Sequence, residues 1–178
     1  MRQYANDLRG FTLMELLVVV GIVSLFLAIL IPVVSKSRGE AEAASCLSNL
    51  RQLGSGFHMY AADHRGFLPD EAIESAWFAL LSTYLPGEEL YQCPSDADTA
   101  ELGAGISFDW RDSLAVADPA SSLAGRNIDV TRKTDLILVF DSIPGWHGRS
   151  DVQAATLDTS ARRYAYTDFE ADLARSIN

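Results

Sequence analysis

Residues 11–34 form an apolar run that contains one charged side chain, Glu15. As an α-helix rising about 1.5 Å per residue, this run would extend about 36 Å, which exceeds the roughly 30 Å hydrocarbon core of a bilayer. The pattern therefore predicts a membrane-spanning helix. A carboxylate in such a helix costs free energy unless it lies near the interface or pairs with a cation. The apolar pattern is compatible with either explanation of Glu15.

Residues 36–64 predict a further, amphipathic stretch of helix. Its apolar side chains recur at spacings of three and four positions, as expected of one helix face. These side chains are Leu47, Leu50, Leu53, Phe57 and Tyr60. Because only Pro32 interrupts the helical pattern, one long helix kinked near Pro32 is expected, and its second half should pack on a domain. Gly66 and Pro69 are expected to end it.

The rest of the chain predicts an α+β fold in which a small antiparallel sheet lies against the long helix. A short helix is expected at 74–85, with Trp77 on its apolar face, and a closing helix at 169–176. The strand candidates are 105–110, 136–141, 153–158 and 163–167. Residues 136–140 are continuously apolar, which indicates a central strand buried on both faces.

The net charge of the chain indicates which kinds of partner it can bind. The chain has a formal net charge of −10, and the 144 residues after the apolar run contain 12 basic and 22 acidic side chains. Nucleic-acid binding requires a basic face, so no nucleic-acid partner is expected of so acidic a domain. A segment of this length is long enough to form one globular domain with its own core.

The N-terminal motif resembles the leader of type IV pilins and type II secretion pseudopilins. In that family a short basic leader ends in Gly, and Phe, Thr, two further residues, Glu and a long apolar helix follow. The matching residues are Gly10, Phe11, Thr12, Leu13, Met14 and Glu15. The resemblance implies that prepilin peptidase cuts between Gly10 and Phe11 and methylates the new amino group of Phe11. An ordinary signal peptide, whose apolar region is about 7–15 residues, fits less well.

The resemblance, rather than the charges, sets the expected topology. Arg2 and Arg9 precede the apolar run while Lys36 and Arg38 follow it, so the positive-inside rule is nearly balanced. By resemblance the N-terminus is cytoplasmic, the helix crosses the inner membrane, and a pilin-like, lollipop-shaped molecule displays its domain in the periplasm. The segments are the leader 1–10, the membrane half of the helix 11–34 and the extracytoplasmic domain 35–178.

The domain also resembles one pilin-like subgroup. The matching motifs are Cys46, Asn-Leu-Arg-Gln at 49–52, Met-Tyr-Ala at 59–61 and Cys-Pro-Ser-Asp at 93–96. The subgroup closes with a His and, further on, Asp-Gly. Here His147 and Asp158 take these positions, and Thr159 replaces the Gly. Glycine permits a turn geometry that threonine resists. The replacement by Thr159 therefore disfavours the turn expected in the last hairpin.

Two cysteines in a domain outside the cytoplasm indicate one disulfide, Cys46–Cys93. In the chain-entropy model, a bridge closing a loop of this size contributes about 3–4 kcal/mol. Two buried free thiols are the alternative.

No metal site and no cofactor are expected. His58 and His64 are six positions apart, on different helix faces, and the chain has no Cys-x-x-Cys. Calcium stays open, because carboxylates supply the oxygen ligands it prefers. The carboxylates concerned are Asp96, Asp98 and Glu101 in one group, and Asp141 and Asp158 in another.

Catalysis is not expected. A Ser/His/Asp set could be drawn from Asp141, Ser142, His147 and Asp158. No nucleophile elbow accompanies these residues, so the chain is expected not to be an enzyme. The alternative role of Asp141 and His147 is to shape a turn.

The resemblance implies a structural subunit of a type II secretion pseudopilus or a related type IV filament. Its partners would be prepilin peptidase, other pilin or pseudopilin subunits, the inner-membrane assembly platform and membrane lipid. In the family, the acid at the position of Glu15 pairs with the methylated amino terminus of a neighbouring subunit. The alternative is a single-span membrane protein that displays its domain as a binding module and does not polymerise.

Overall fold

The computed structural model describes residues 11–70, 76–96, 106–112, 115–142 and 151–177. The chain divides into two compact units, Met1–Arg38 and Gly39–Asn178. The leader 1–10, and with it Gly10, lies outside the described residues, as do Asp98, Glu101 and His147.

One helix, α1, extends from Leu13 to Asp63 and includes Pro32. Its last turn gives way to Arg65 and Gly66, which have φ angles of 58° and 85°. The amide of Gly66 donates to the carbonyl of Ala61 over 2.7 Å, which satisfies a carbonyl at the helix end. A Cβ at position 66 would lie 2.5 Å from Asp129 Oδ2, so glycine is required there. The end predicted from Gly66 is therefore confirmed.

The core of the unit Gly39–Asn178 is built on the second half of α1. Leu50, Leu53 and Phe57 are fully buried, as the apolar spacing predicts, whereas Leu47 and Tyr60 are only partly buried. A short helix, α2, extends from Ala76 to Leu81 and ends earlier than predicted. Its Trp77 stacks on Phe57 with ring centroids 5.9 Å apart.

The sheet has four antiparallel strands in the order β1-β2-β3-β4. Their bounds are Phe108–Trp110, Ile137–Asp141, Asp151–Thr156 and Ala161–Ala165. Every residue of β2 is buried, and β2 lies between β1 and β3, so the central-strand prediction is confirmed. The α+β class with an antiparallel sheet is likewise confirmed.

The last hairpin begins and ends about two residues earlier than predicted. Strand β3 ends at Thr156 because the chain turns there, and the amide of Thr156 donates to the carbonyl of Ser160 over 2.8 Å. Strand β4 therefore ends at Ala165, and helix α3 occupies Tyr166–Leu173 instead of 169–176. The prediction of strand at 166–167 is wrong.

Different helices pack against the two faces of the sheet. On one face, a Cβ built at Gly54 of α1 would lie 3.8 Å from the Cβ of Ala155, which shows how closely the helix and β3 approach. On the other face, Phe169 of α3 packs edge-on against Phe140 with centroids 5.0 Å apart. The strand register shifts between Ile137 and Val139, so neighbouring residues Leu138 and Val139 both join the core cluster under α1.

Candidate functional site

The beginning of α1 is closed by a reciprocal pair of side-chain caps. Thr12 directly precedes the first helical residue, and its amide and hydroxyl donate to Oε2 of Glu15 over 2.9 and 2.8 Å. The Thr12 hydroxyl oxygen accepts from the Glu15 amide over 3.2 Å. This is a capping box, in which two amides at the helix start are satisfied by side chains. The sequence signal Thr-x-x-Glu was available, although the prediction assigned no role to Thr12.

The capping box holds the Glu15 carboxylate at the amino end of the helix. Partial positive charge from the helix dipole concentrates there and stabilises an anion. The carboxylate accepts from the amide of Thr12, the residue next to Phe11. A new amino group created at Phe11 would therefore arise one residue from the group that already binds Glu15.

The helix that follows exposes a long apolar surface. Its most apolar 18-residue window has a mean hydropathy of 3.1 and no residue buried within the structure, which makes α1 a helix able to span a membrane. Leu13 is 80% and Phe11 75% exposed. Contiguous apolar surface of this extent marks a membrane or an assembly interface rather than a face in water.

Cys46 and Cys93 are joined by a disulfide, with Cα atoms 5.1 Å apart. Cys46 lies on the buried face of α1, and Cys93 follows a short 3-10 helix at Glu88–Tyr91. The side-chain amide of Asn49 donates to the carbonyls of Glu89 and Gln92 over 3.2 and 3.1 Å. The disulfide and these two hydrogen bonds together fasten this loop to the helix.

The second half of α1 also holds the β3–β4 hairpin. His58 Nε2 donates to the carbonyl of Leu157 over 2.6 Å, and Arg51 donates to the carbonyl of Ala161 over 3.2 Å. Further along the hairpin, Arg163 forms an ion pair with Glu40 at 3.0 Å. His58 therefore has a structural partner on the hairpin, as is common for a histidine on a packed helix face.

Asp158 shapes the hairpin turn. Its Oδ1 accepts from the hydroxyl of Thr156 and from the amide of Ser160, and these hydrogen bonds lower the pKa of the carboxyl. Thr159, where the resembled subgroup has Gly, takes a φ of 65°. The hairpin forms in spite of this unfavourable threonine geometry.

Asp141 and Asp158 do not lie together. Asp141 ends β2, and its Oδ2 accepts from the amide of Gln153 over 2.9 Å. The amide of Asp158 donates to the carbonyl of Thr134, before the beginning of β2. Because Thr134 precedes β2 and Asp141 ends it, the length of β2, about 13 Å, lies between the two residues along the sheet. The expectation that they could share a calcium ion, or act together in a Ser/His/Asp set, is wrong.

Among the residues that the structure describes, no three His, Cys, Asp or Glu side chains group in a way that could hold a metal ion. Of the acidic group Asp96, Asp98 and Glu101, only Asp96 is among the described residues, so a calcium site there stays a prediction. Asp96 accepts a hydrogen bond from the hydroxyl of Ser107 over 2.7 Å.

The N-terminal segment matches a known family motif. Residues 6–31 match the prokaryotic N-terminal methylation motif, which covers the capping box and most of the apolar helix. No curated protein and no solved structure matches the chain. The match ends at residue 31, so the subgroup with the C-terminal His and Asp-Gly stays an expectation. The motif and the apolar helix together support a membrane-anchored, type IV pilin-like chain.

Proposed function

We propose that this pilin-like chain is a non-enzymatic structural subunit of a type II secretion pseudopilus or a related type IV filament. The observation that carries the proposal is the capping box of Thr12 and Glu15 at the start of the exposed apolar run 11–34, which has no other charge. The motif implies processing by prepilin peptidase. The cut falls between Gly10 and Phe11, and Phe11 carries the methylated amine.

Processing would change the electrostatics at the head of the helix. The new amine of Phe11 is positive, and the Glu15 carboxylate is already turned toward the adjacent residue. Within one chain these charges partly neutralise each other. Between two chains, a carboxylate of one helix and the amine of the next attract strongly because the lipid medium has a low dielectric constant. Such a pair would fix the axial register of helices whose apolar surfaces are otherwise interchangeable.

The periplasmic placement of the domain and its anchoring in the inner membrane follow from the same proposal. Its partners are prepilin peptidase, other pilin or pseudopilin subunits, the assembly platform and lipid. No cofactor takes part. The N-terminal methylation motif supports this function over a binding module that stays monomeric, because the motif implies pilin-like processing and assembly whereas a simple membrane anchor does not need it.

The first experiment is the intact mass of the chain recovered from membranes and from sheared filaments. A mature chain that has lost ten residues and gained one methyl group is expected in both fractions. Gly10→Leu should give only uncut precursor, confined to membranes, whereas Gly10→Ala is the milder control. A Gly10→Leu chain that still begins at Phe11 would disprove the cleavage assignment. Mature chain that never enters the sheared fraction would favour the monomeric binding module.

A further inference from the structure

Two open clefts in the unit Gly39–Asn178 meet at one exposed side chain, Phe67. The first, the basic groove, has a volume of about 630 Å³. Its apolar side chains are Phe67, Val130 and Ile177, and its cations are Arg126, Arg132 and Lys133. No carboxylate occurs among the described residues that line it. Three cations in one groove stand out on a chain of net charge −10.

The second, the acidic cleft, is also lined by Phe67 and has a volume of about 590 Å³. Asp63 and Asp70 supply two carboxylates, and Arg65 supplies one guanidinium. Asp63 accepts from the hydroxyl of Tyr84 over 3.0 Å. Phe67 and Gly125 line both clefts, so the two are adjacent and carry opposite net charge.

The ridge between the clefts is a rigid piece of backbone. Phe67 pairs with Asn127 in an antiparallel bridge. The amide of Leu68 donates to the carbonyl of Arg126 over 2.9 Å, and the amide of Ile128 donates to the carbonyl of Gly66 over 2.8 Å. Phe67 is 47% and Val130 75% exposed on this support. An aromatic side chain presented on fixed backbone loses little entropy on docking, which suits it as an anchor.

We propose that this face binds a second copy of the same chain, so that the basic groove of each copy faces the acidic cleft of the other. A two-fold axis near Phe67 produces this arrangement, because it exchanges the two sides of the ridge. Asp70 of each copy then faces Arg132 of the other, and the two Phe67 side chains pack near the axis. Elsewhere two chains of net charge −10 repel, so the basic groove directs them to this face.

This domain pairing goes beyond the proposed filament contact, which joins neighbouring helices through Glu15. An isologous contact closes on itself and does not propagate, so it would join subunits in pairs or join adjacent filaments. Because it does not use Glu15, it should persist in a Glu15→Leu chain. The two proposals can therefore fail separately.

The experiment uses two differently tagged copies of the full chain, both carrying Glu15→Leu, coexpressed and solubilised in mild detergent. The measurement is the fraction of one copy captured with the other. Arg132→Glu in both copies places glutamate opposite Asp70, and Asp70→Lys in both places lysine opposite Arg132. Each change should lower capture about tenfold relative to the parent, because like charges then face each other. Capture by the parent should fall in about 0.5 M salt, which screens surface charges.

The decisive arm mixes an Arg132→Glu copy with an Asp70→Lys copy. Both contacts across the axis are then attractive again, so capture should return to near the level of the parent. A variant that merely misfolds cannot be rescued in this way. Arg162→Glu and Asp168→Lys, at exposed positions that line neither cleft, serve as matched charge controls and should leave capture unchanged. The proposal is overturned if the mixed pair captures no better than each variant with itself. It is also overturned if Arg132→Glu self-captures like the parent, as expected of a groove for a different acidic partner.

Discussion

Nη1 of Arg111 lies 2.9 Å from Oδ1 of Asp172, and the Arg111 side chain is fully buried. The same guanidinium donates to the carbonyls of Ser121, Leu173 and Arg175. Burial lowers the pKa of Arg111, and the adjacent carboxylate opposes that shift. A buried cation with this many partners fastens the end of α3 to the end of β1 and to Ser121.

Asp172→Asn is expected to destabilise the fold by about 3 kcal/mol, because it leaves a buried guanidinium without its counter-charge. Asp172 also accepts from the amide of Ile137, so the change acts on the beginning of the central strand as well. Urea unfolding of the detergent-solubilised chain, followed by tryptophan fluorescence, measures the loss. Asp135→Asn is the control, since it removes an exposed partner of Arg175 and should cost less than about 1 kcal/mol. Equal effects of the two changes would contradict the assigned role of the buried pair.

The hairpin turn stores strain at Thr159. A β-branched residue at a φ of 65° costs roughly 1–2 kcal/mol, while glycine takes this geometry freely but loses more entropy on folding. Thr159→Gly should therefore stabilise the chain by about 0.5–1 kcal/mol, measured by the same unfolding assay. Thr159→Ala keeps a Cβ at the positive φ and should not give this gain. A destabilising Thr159→Gly would show that the contacts of the threonine side chain with α1 outweigh the strain.

The sequence pattern predicts neither the buried Arg111–Asp172 pair nor the turn at Thr159. The short, continuous apolar run of β2 predicted a strand buried on both faces, and the three-four spacing after Lys36 predicted one packed helix face. The hairpin limits were misplaced because the turn has Thr159 where glycine would have signalled it. Arg111 carries no sequence signal, since arginine is mostly exposed and its counter-charge Asp172 and two of its carbonyl partners lie more than sixty positions away. The capping box has a sequence signature, Thr-x-x-Glu, whereas the apolar run by itself singles out only the charge of Glu15.

The Cys46–Cys93 bridge should be present in protein recovered from the periplasmic side of the membrane. Thiol labelling of the denatured, unreduced chain is expected to find no free cysteine. Reduction should lower the free energy of unfolding by about 3–4 kcal/mol, because the unfolded chain regains the entropy of a long closed loop. Cys46→Ser/Cys93→Ser reports the same loss without reductant. Two labelled thiols in the recovered protein would contradict the bridge.

The final prediction separates the charge of Glu15 from its capping role. Glu15→Leu removes both the carboxylate and the cap, whereas Glu15→Gln keeps a side-chain oxygen that can accept from the Thr12 amide. If register depends on a carboxylate facing an amine in lipid, both variants should insert and be cleaved normally. Both should nevertheless enter sheared filaments at least about tenfold less than wild type.

Thr12→Ser preserves a capping hydroxyl and is the matched control, which should assemble like wild type. Filament recovery is compared at equal membrane levels of each chain, with intact mass confirming that each one is cut. If Glu15→Gln assembles as wild type while Glu15→Leu does not, the cap rather than the charge is what assembly requires. If both assemble as wild type, Glu15 is a shallow acid tolerated at the membrane interface, and helix register must come from the packing of the apolar side chains.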